Sequence, residues 1–567
     1  MGQAGSLSFR LPKRDSAKRT FEVLPYTIAT QDRNRIEDTG SPDFNRWHSA
    51  SPEARAGIGV KYGLSSNLIA DVTYNPDFSQ IESDAGQITV NNPFALFYDE
   101  RRPFFQEGSD IYRLDQASPG IAVDQFVNLF YSRSINNPLV AAKLSGKVGK
   151  VALGYTSAID QNSPFIVPFE GQSAVLATDK RSLSNIIRAK YDLGTESTLG
   201  VFLSNRHLEE GSNTVTAVDA TFRLSEKLML TTIAGLSQTR EPNDPELSQF
   251  IPDETFKAMG KTKTAAFDGE SVTGHILRAK LQRNARHFTG ALCLQDFSPG
   301  FRADNGFIST TSYRNAEGTT AYIFRWDEHP VFTSILSRLS AWRKANYDGV
   351  IIDTGIRPNM TFQFRKQITV FLSAFLYNRE NLYGKQFGDA RSAWIFVASN
   401  PSKPLSVQGY LRAGKEINRL GSEGSSYNPF EIVPTLSYNL NMTFKPVPKI
   451  NNDIQYQSFN LCRSFWSGKI RSQNIFRNAF SYQFNRRMFL RLIAEYNIVQ
   501  VTNASTGIAN KQKFFSLEPL FSYKFNAFSV FYLGGSFGGK NAVYLDWDTV
   551  RFNRQTMYVK LQYLIGL

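Results

Sequence analysis

The chain has 567 residues, 41% of them hydrophobic and 13% aromatic, with 45 Phe and 24 Tyr against 7 Met, and a formal charge of +14. At a mean hydropathy of −0.31 it is too polar for a bundle of membrane helices, and no stretch approaches the roughly 18 apolar residues that a spanning helix needs. Residues 228–236 come nearest and are broken by Thr and Gly, while the aromatic content favours pleated sheet.

The 64 Lys and Arg outnumber the 50 Asp and Glu, which raises nucleic acid as a partner. The basic residues are scattered, as in Leu11-Pro-Lys-Arg14 and Asn485-Arg-Arg487, with no basic helix and no nucleic-acid motif. Polyanionic headgroups of outer-membrane lipids and lipopolysaccharide are the more economical partner. Cys293 and Cys462 are far apart and lack metal spacing, which fits an exported protein without a disulfide framework. The start, Met-Gly-Gln-Ala-Gly-Ser, has no basic segment, apolar core or cleavage site, so export implies a leader that this sequence lacks.

Residues 1–55 are rich in Arg, Asp, Asn and Pro and read as loops with one or two strands around residues 20–28. From Val60 onward the dominant signal is period-two alternation in segments of about ten residues, punctuated by turn residues. Between residues 488 and 498, Leu490, Leu492, Ala494, Tyr496 and Ile498 oppose Arg491, Glu495 and Asn497. Further on, Phe515, Leu517, Pro519, Phe521, Tyr523 and Phe525 oppose Ser516, Glu518, Ser522 and Lys524. At the end, Val559, Leu561, Tyr563, Ile565 and Leu567 oppose Tyr558, Lys560 and Gln562. Residues 75–124 break the rhythm with turns and charges, and the polar insertions 239–264 and 378–392 read as outer loops.

A soluble sandwich also alternates. Here the strands are long and numerous, aromatics gather near strand ends as membrane girdles require, and no helix or linker divides the series. In hydrocarbon only a closed sheet can display apolar faces without open edges. The fold class expected is all-β: a large transmembrane antiparallel β-barrel of about 22–26 strands in a bacterial outer membrane. Residues 56–567 form the barrel, its inner wall made of Arg, Glu, Lys and Asn, with residues 75–124 as a lumen plug or inserted loop.

The irregular region carries the most specific motif. Asn75-Pro-Asp-Phe-Ser-Gln-Ile-Glu-Ser-Asp84, followed by Phe97-Tyr-Asp-Glu-Arg-Arg-Pro-Phe-Phe-Gln-Glu-Gly108, resembles the DUF5916-type family of outer-membrane β-barrel proteins of Bacteroidetes. The matches Leu129-Phe-Tyr-Ser-Arg133, Asp296-Phe-Ser-Pro-Gly-Phe-Arg-Ala-Asp-Asn-Gly-Phe-Ile308 and Tyr558-Val-Lys-Leu-Gln-Tyr-Leu564 extend the resemblance along the barrel. It implies a family-9-like carbohydrate-binding sandwich ahead of the barrel; the given sequence does not include one, so no sugar-binding role of the sandwich is expected of it. Such barrels commonly end in an aromatic residue. Tyr563 and Leu567 are the residues assigned to the insertion signal, with Tyr563 in the aromatic role.

Pro76 and Pro103 cannot donate to a ladder and sit poorly mid-strand. Asn75, Asp77, Gln80, Glu82, Asp84, Asp99, Glu100 and Glu107, beside Arg101 and Arg102, are therefore expected to form a lumen plug, or an Arg–carboxylate network tying a loop to the inner wall. Gly534-Gly-Ser-Phe-Gly538 matches G-x-S-x-G, but that motif works as a strand-to-helix elbow and this one ends an alternating strand, so no catalytic residue is assigned. His48, His207, His275, His287 and His329 show no metal spacing, and no metal residue is assigned. No cofactor is expected beyond calcium, for which Asp77, Glu82 and Asp84 offer oxygens without EF-hand spacing. The function expected is a non-enzymatic plugged or gated channel, or a surface-assembly component working with outer-membrane or periplasmic proteins. The alternatives are a membrane-anchored hydrolase of glycans or lipids, and a scaffold subunit.

Overall fold

Period-two alternation places one set of side chains on each face of a sheet. In the computed structural model, which describes residues 21–36, 41, 45–114, 127–252, 254–258, 260–419, 430–465, 467–503, 507–526, 528–541 and 550–566, the alternating segments form one closed antiparallel barrel of 24 strands. The ring is closed by Phe21–Arg35, which pairs with Glu53–Ser65 on one side, Phe21 opposite Tyr62, and with Arg551–Gln562 on the other, Tyr26 opposite Gln562. The wall thus starts at Phe21 rather than at residue 56. That strand is hard to recognise because its second half, Gln31-Asp-Arg-Asn-Arg35, is polar on both faces and Pro25 lies within it.

Strand polarity has the expected sense. Val559 and Leu561 are exposed on the outer face, whereas Lys560 between them is 2% exposed, pointing inward. The two ends differ in their connections. Turns at one end are short, as at 65–68, 148–151, 194–197, 225–228 and 402–405, while residues 75–137, 160–182, 240–271, 297–313 and 374–392 leave the other. Several of these insertions are structured: Phe165–Pro168 pairs with Ser173–Leu176, Thr255–Ala258 with Lys261–Thr264, and Tyr377–Leu382 with Lys385–Gly388. Phe165, Val167, Phe169, Leu208, Ile251 and Phe267 pack the first two hairpins into an apolar cluster at that end.

The inner wall corrects the expectation of a uniformly polar lining. From Pro138–Val148 round to Ser271–Asn284, the inward residues Ala141, Ala158, Ile186, Phe202, Val215, Ile233 and Ile276 are buried. They pack against Phe105, Tyr112, Leu129 and Ile135 from the first long insertion, and against Phe297, Phe301, Ala303 and Ile308. Apolar side chains can face inward here because a second layer of chain removes them from lumen water. On the remaining arc Arg, Glu, Lys and amide residues line the wall together with aromatic residues such as Trp342 and Tyr410.

Residues 298–312 reach this core by turning in from the long-loop end, and Gly274 makes the approach possible. A Cβ at Gly274 would lie 2.1 Å from the backbone nitrogen of Phe301. Gly274→Val is expected to expel residues 298–312 from a barrel that stays closed, at a cost of about 1–3 kcal/mol for overpacking. The check is limited proteolysis: trypsin should gain a cut at Arg302, now 6% exposed, while the variant keeps its heat-modifiable mobility on gels.

Candidate functional site

The first long insertion leaves Leu68–Tyr74 at Asn75, whose φ of 49° turns the chain inward. The Asn75 amide side chain donates to the carbonyl of Ala56 at 2.8 Å. From there residues 77–91 run along the polar arc of the wall. Lys560 donates to the Asp77 carboxylate at 3.1 Å, the Asp77 carbonyl at 2.8 Å and Gln80 Oε1 at 2.9 Å. Arg477, with its side chain 4% exposed, bridges Glu82 at 2.9 Å and Glu495 at 3.0 Å.

Irregular backbone in a lumen has to find acceptors for its N–H groups. The wall supplies them. Glu518 accepts from Ser83 N at 3.4 Å and Glu495 from Gly86 N at 3.0 Å, while Gln473 Oε1 accepts from Thr89 N at 2.7 Å and Val90 N at 3.2 Å. Asn91 closes the run by donating to Ile417 O at 3.0 Å and accepting from Arg419 N at 2.8 Å. The backbone lies so close that a Cβ on Gly86 would meet Glu495 Oε1 at 2.7 Å.

The second half of the insertion folds on itself. Arg133 holds the Asp84 carboxylate through both terminal nitrogens, at 2.6 and 2.7 Å, and also donates to the Asp99 carbonyl. Arg102 grips Glu100 with Nε at 2.9 Å and Nη2 at 2.7 Å, donates to the carbonyls of Ile135 and Ser132, and stacks 4.3 Å over the Phe105 ring. Arg101 reaches both Glu82 and Asp84, at 3.4 and 3.6 Å. Glu107 pairs with Lys61 at 2.6 Å, and Lys143 donates to the Glu107 carbonyl at 2.9 Å. Tyr112 then shares a hydrogen bond with Thr156 at 2.7 Å inside the apolar core.

The residues singled out between Asn75 and Glu107 therefore lie together in the lumen, with Asp99 contributing its carbonyl and Asn75 marking the entry. Residues 115–124 lie outside the described residues. What sequence reasoning missed are the wall partners Lys560, Arg477, Glu495, Glu518 and Gln473, each an inward position of an ordinary alternating strand. It also gave no role to residues 298–312, where Phe307 packs edge-on to Phe97 at 5.2 Å and Asn305 accepts from Ser184 and donates to Ser204. The motifs that carry the family resemblance thus meet in one place. Tyr563 lies at the closing seam, its N–H donating to Pro25 O at 3.1 Å; Leu567 lies outside the described residues. Ser536 sits within Val530–Lys540 opposite Thr556, extended backbone and not an elbow.

Two cavities flank residues 82–94 on the polar arc. One, of about 840 Å³, opens toward the long-loop end between Asn91, Phe94, Glu170, Trp342, Tyr383 and Arg412. The other, of about 700 Å³, lies toward the short-turn end between Glu82, Gln408, Tyr410, Asn439, Gln457 and Arg477. Leu405–Asn418 lines both, with Tyr410 in one and Arg412 in the other, about 7 Å apart along the strand.

Residues 23–147 match the family model described as Domain of unknown function (DUF5916), and both halves of the Asn75 motif fall inside that span. No curated protein matches the sequence. Among solved structures the chain is similar to the FrpB iron transporter from Neisseria meningitidis (F5-1 variant, apoprotein form), at 9% identity and a TM-score of 0.45, with 76% of this chain and 79% of that one covered. It is similar to the copper transporter OprC at 9% identity and a TM-score of 0.45, covering 76% and 78%. For Pseudomonas aeruginosa OccK2 (OpdF) the values are 12% identity and a TM-score of 0.30, covering 74% and 98%.

Burial alone would raise the Glu82 carboxyl, but the Arg477 hydrogen bond and the charges of Arg101, Arg477 and Arg491 hold it below the usual carboxylate range. A lowered folded-state value means that the contact contributes fully above the ordinary glutamate range and is lost as pH falls through the lowered value. A spin label on Ala85→Cys is therefore expected to stay ordered at neutral pH and to show a mobile component only in acid. Adding Arg477→Ala should produce that component at neutral pH, since losing such a partner costs about 1–3 kcal/mol; electron paramagnetic resonance reads both.

Proposed function

We propose that the protein is a gated channel of a bacterial outer membrane, occluded by its own residues 75–114. The apolar outer face and the contrast of short turns with long insertions support a barrel inserted with its long-loop end outside. The observation that carries the gating is the unequal attachment of the insertion. Its second half is anchored in the apolar core by Phe105 and Tyr112, which pack with Leu129 and Ile135 further along the same insertion, whereas residues 77–91 hold the opposite arc chiefly through side-chain hydrogen bonds and ion pairs, with Val90 their buried apolar residue.

Burying a large apolar side chain contributes about 1.5–3 kcal/mol, while an intramolecular hydrogen bond nets about 0.5–1.5 kcal/mol because water replaces it. The polar half therefore releases first. Its withdrawal joins the outer and inner cavities into a continuous path along the wall near Leu405–Asn418. The outer cavity, about 840 Å³, falls within the roughly 300–1,000 Å³ of small-molecule sites, which suits a vestibule that receives solute before the gate opens.

Planar-bilayer recordings test this reading. The double variant Arg477→Ala with Lys560→Ala, which removes the two main cations of the latch, is expected to show a larger unit conductance than the unmodified barrel. Equal conductance from the unmodified barrel, the double variant and a variant lacking residues 79–94 would sink the gate.

A further inference from the structure

We propose that the outer wall holds the phosphorylated, multiply acylated lipid anchor of a lipopolysaccharide molecule, with acyl chain in a groove and phosphate on Arg314 and Arg343. The inference rests on the outer-membrane reading above.

A membrane barrel ordinarily presents bulky apolar residues to lipid. On five adjoining strands, from Ser212–Ser225 to Tyr313–Arg325, the alternate positions that face outward include Ala220, Thr232, Ala234, Ala279 and Ala316. Their inward neighbours confirm the sense, since Asp219 pairs with Arg188 at 2.6 Å in the lumen. These small side chains form the floor of a concavity of about 690 Å³, rimmed by Leu199, Val218, Leu277 and Leu294, each about half exposed. Such a trough is open to hydrocarbon and lined by apolar atoms. An extended acyl chain satisfies it, and a peptide with unpaired backbone does not.

Among the outward-facing side chains that line the groove, charge appears at one end only. Arg314, Arg343 and Asp296 line the groove toward the long-loop end. Along Ser271–Asn284, His275 lies at this upper level, and Ala279 lies about 13 Å below it at the usual strand rise. Arg314 Nε donates to Asp296 at 3.2 Å, and its guanidinium lies 4.5 Å over the Tyr347 ring. The Tyr347 hydroxyl touches Asp296 and lies 3.1 Å from His275 Nε2. Asp296 thus fixes Arg314 while neutralising one charge. Arg343, facing outward opposite Ala316, makes no ion pair among the described residues. Its exposed guanidinium is the free cation of the pair.

Arginine at the head of an apolar trough is complementary to a phosphate carried on acyl chains, because the planar fork binds phosphate oxygens through two parallel hydrogen bonds. The long-loop end fixes the leaflet. Only the outer leaflet places phosphates at the depth of Arg314 and Arg343 when that end faces outside, and the lipid of that leaflet in such bacteria is lipopolysaccharide.

The test uses the full barrel, delipidated in detergent and incubated with bisphosphorylated lipid A, with bound lipid counted by native mass spectrometry. One retained adduct is expected. Arg314→Ala with Arg343→Ala should lower its occupancy by about tenfold, as for the loss of one charged hydrogen bond. Ala234→Phe with Ala279→Phe, which fills the groove from the lipid side without touching the core, should do the same. Equal retention by all three proteins, or equal retention of phosphatidylglycerol by the unmodified barrel, overturns the site. Heat-modifiability and insertion into vesicles are scored on the same preparations. A barrel that fails to insert refutes the outer-membrane reading, and one that inserts without an adduct refutes the lipid site alone.

Discussion

A closed sheet of 24 strands encloses more space than its own inward side chains can fill, so the interior holds either water or more chain. Chain placed there without regular structure brings backbone N–H groups that need acceptors. In this barrel the wall provides them: Glu518, Glu495 and Gln473 take the amides of Ser83, Gly86, Thr89 and Val90. Charges are answered in the same way, with Lys560 on Asp77 and Arg477 on Glu82. The polar face of the alternation, which makes the sheet a barrel in lipid, is also what makes an irregular insertion tolerable inside it.

The barrel was legible in the sequence because its signal is local. Val559, Lys560 and Leu561 reveal their faces by order alone, and the break at Asn75-Pro76 reveals that the chain leaves the wall. The Glu100–Arg102 pair, two residues apart, was legible for the same reason. Lys560 and Arg477 were not, because each finds its partner across hundreds of residues and looks like any inward position of a strand. Ile186 and Ile187 show why the apolar half of the lumen stayed hidden. One is fully buried against the insertion and the other exposed on the outer face, so the two read together as an interruption of the alternation. The strand Phe21–Arg35 was legible only around residues 20–28, since its polar second half offers no apolar face to detect.

The two kinds of attachment divide the lumen into an apolar half and a polar one. On the apolar half the insertion contributes Phe105, Tyr112, Leu129 and Ile135 to a core shared with the wall and with residues 298–312. Detaching it means returning several large apolar side chains to water, at about 1.5–3 kcal/mol each. On the polar half the contacts are hydrogen bonds and ion pairs, each of which water could replace, and two cavities flank them. Arg101 and Arg133 sit between the halves. Arg133 fixes Asp84 to the 127–137 segment, while Arg101 reaches both Glu82 and Asp84, so the two limbs of the insertion are tied together at Asp84.

Period two also ties the lipid face to the lumen at one point of the wall. At the end of Phe288–Phe297, Asp296 faces outward to Arg314 while Phe297 faces inward and stacks on Tyr313 at 5.0 Å. On the paired strand Tyr313 is buried and Arg314 is exposed. The segment 298–312, which packs against the insertion through Phe301 and Phe307, is strung between these two residue pairs. Its entry and exit are therefore set by backbone whose outward side chains form the Asp296–Arg314 contact. Both ends of this inward-turning segment are thus anchored in the wall by pairs that face lipid on one side and the lumen on the other, because neighbouring side chains on a strand share one backbone and point to opposite faces.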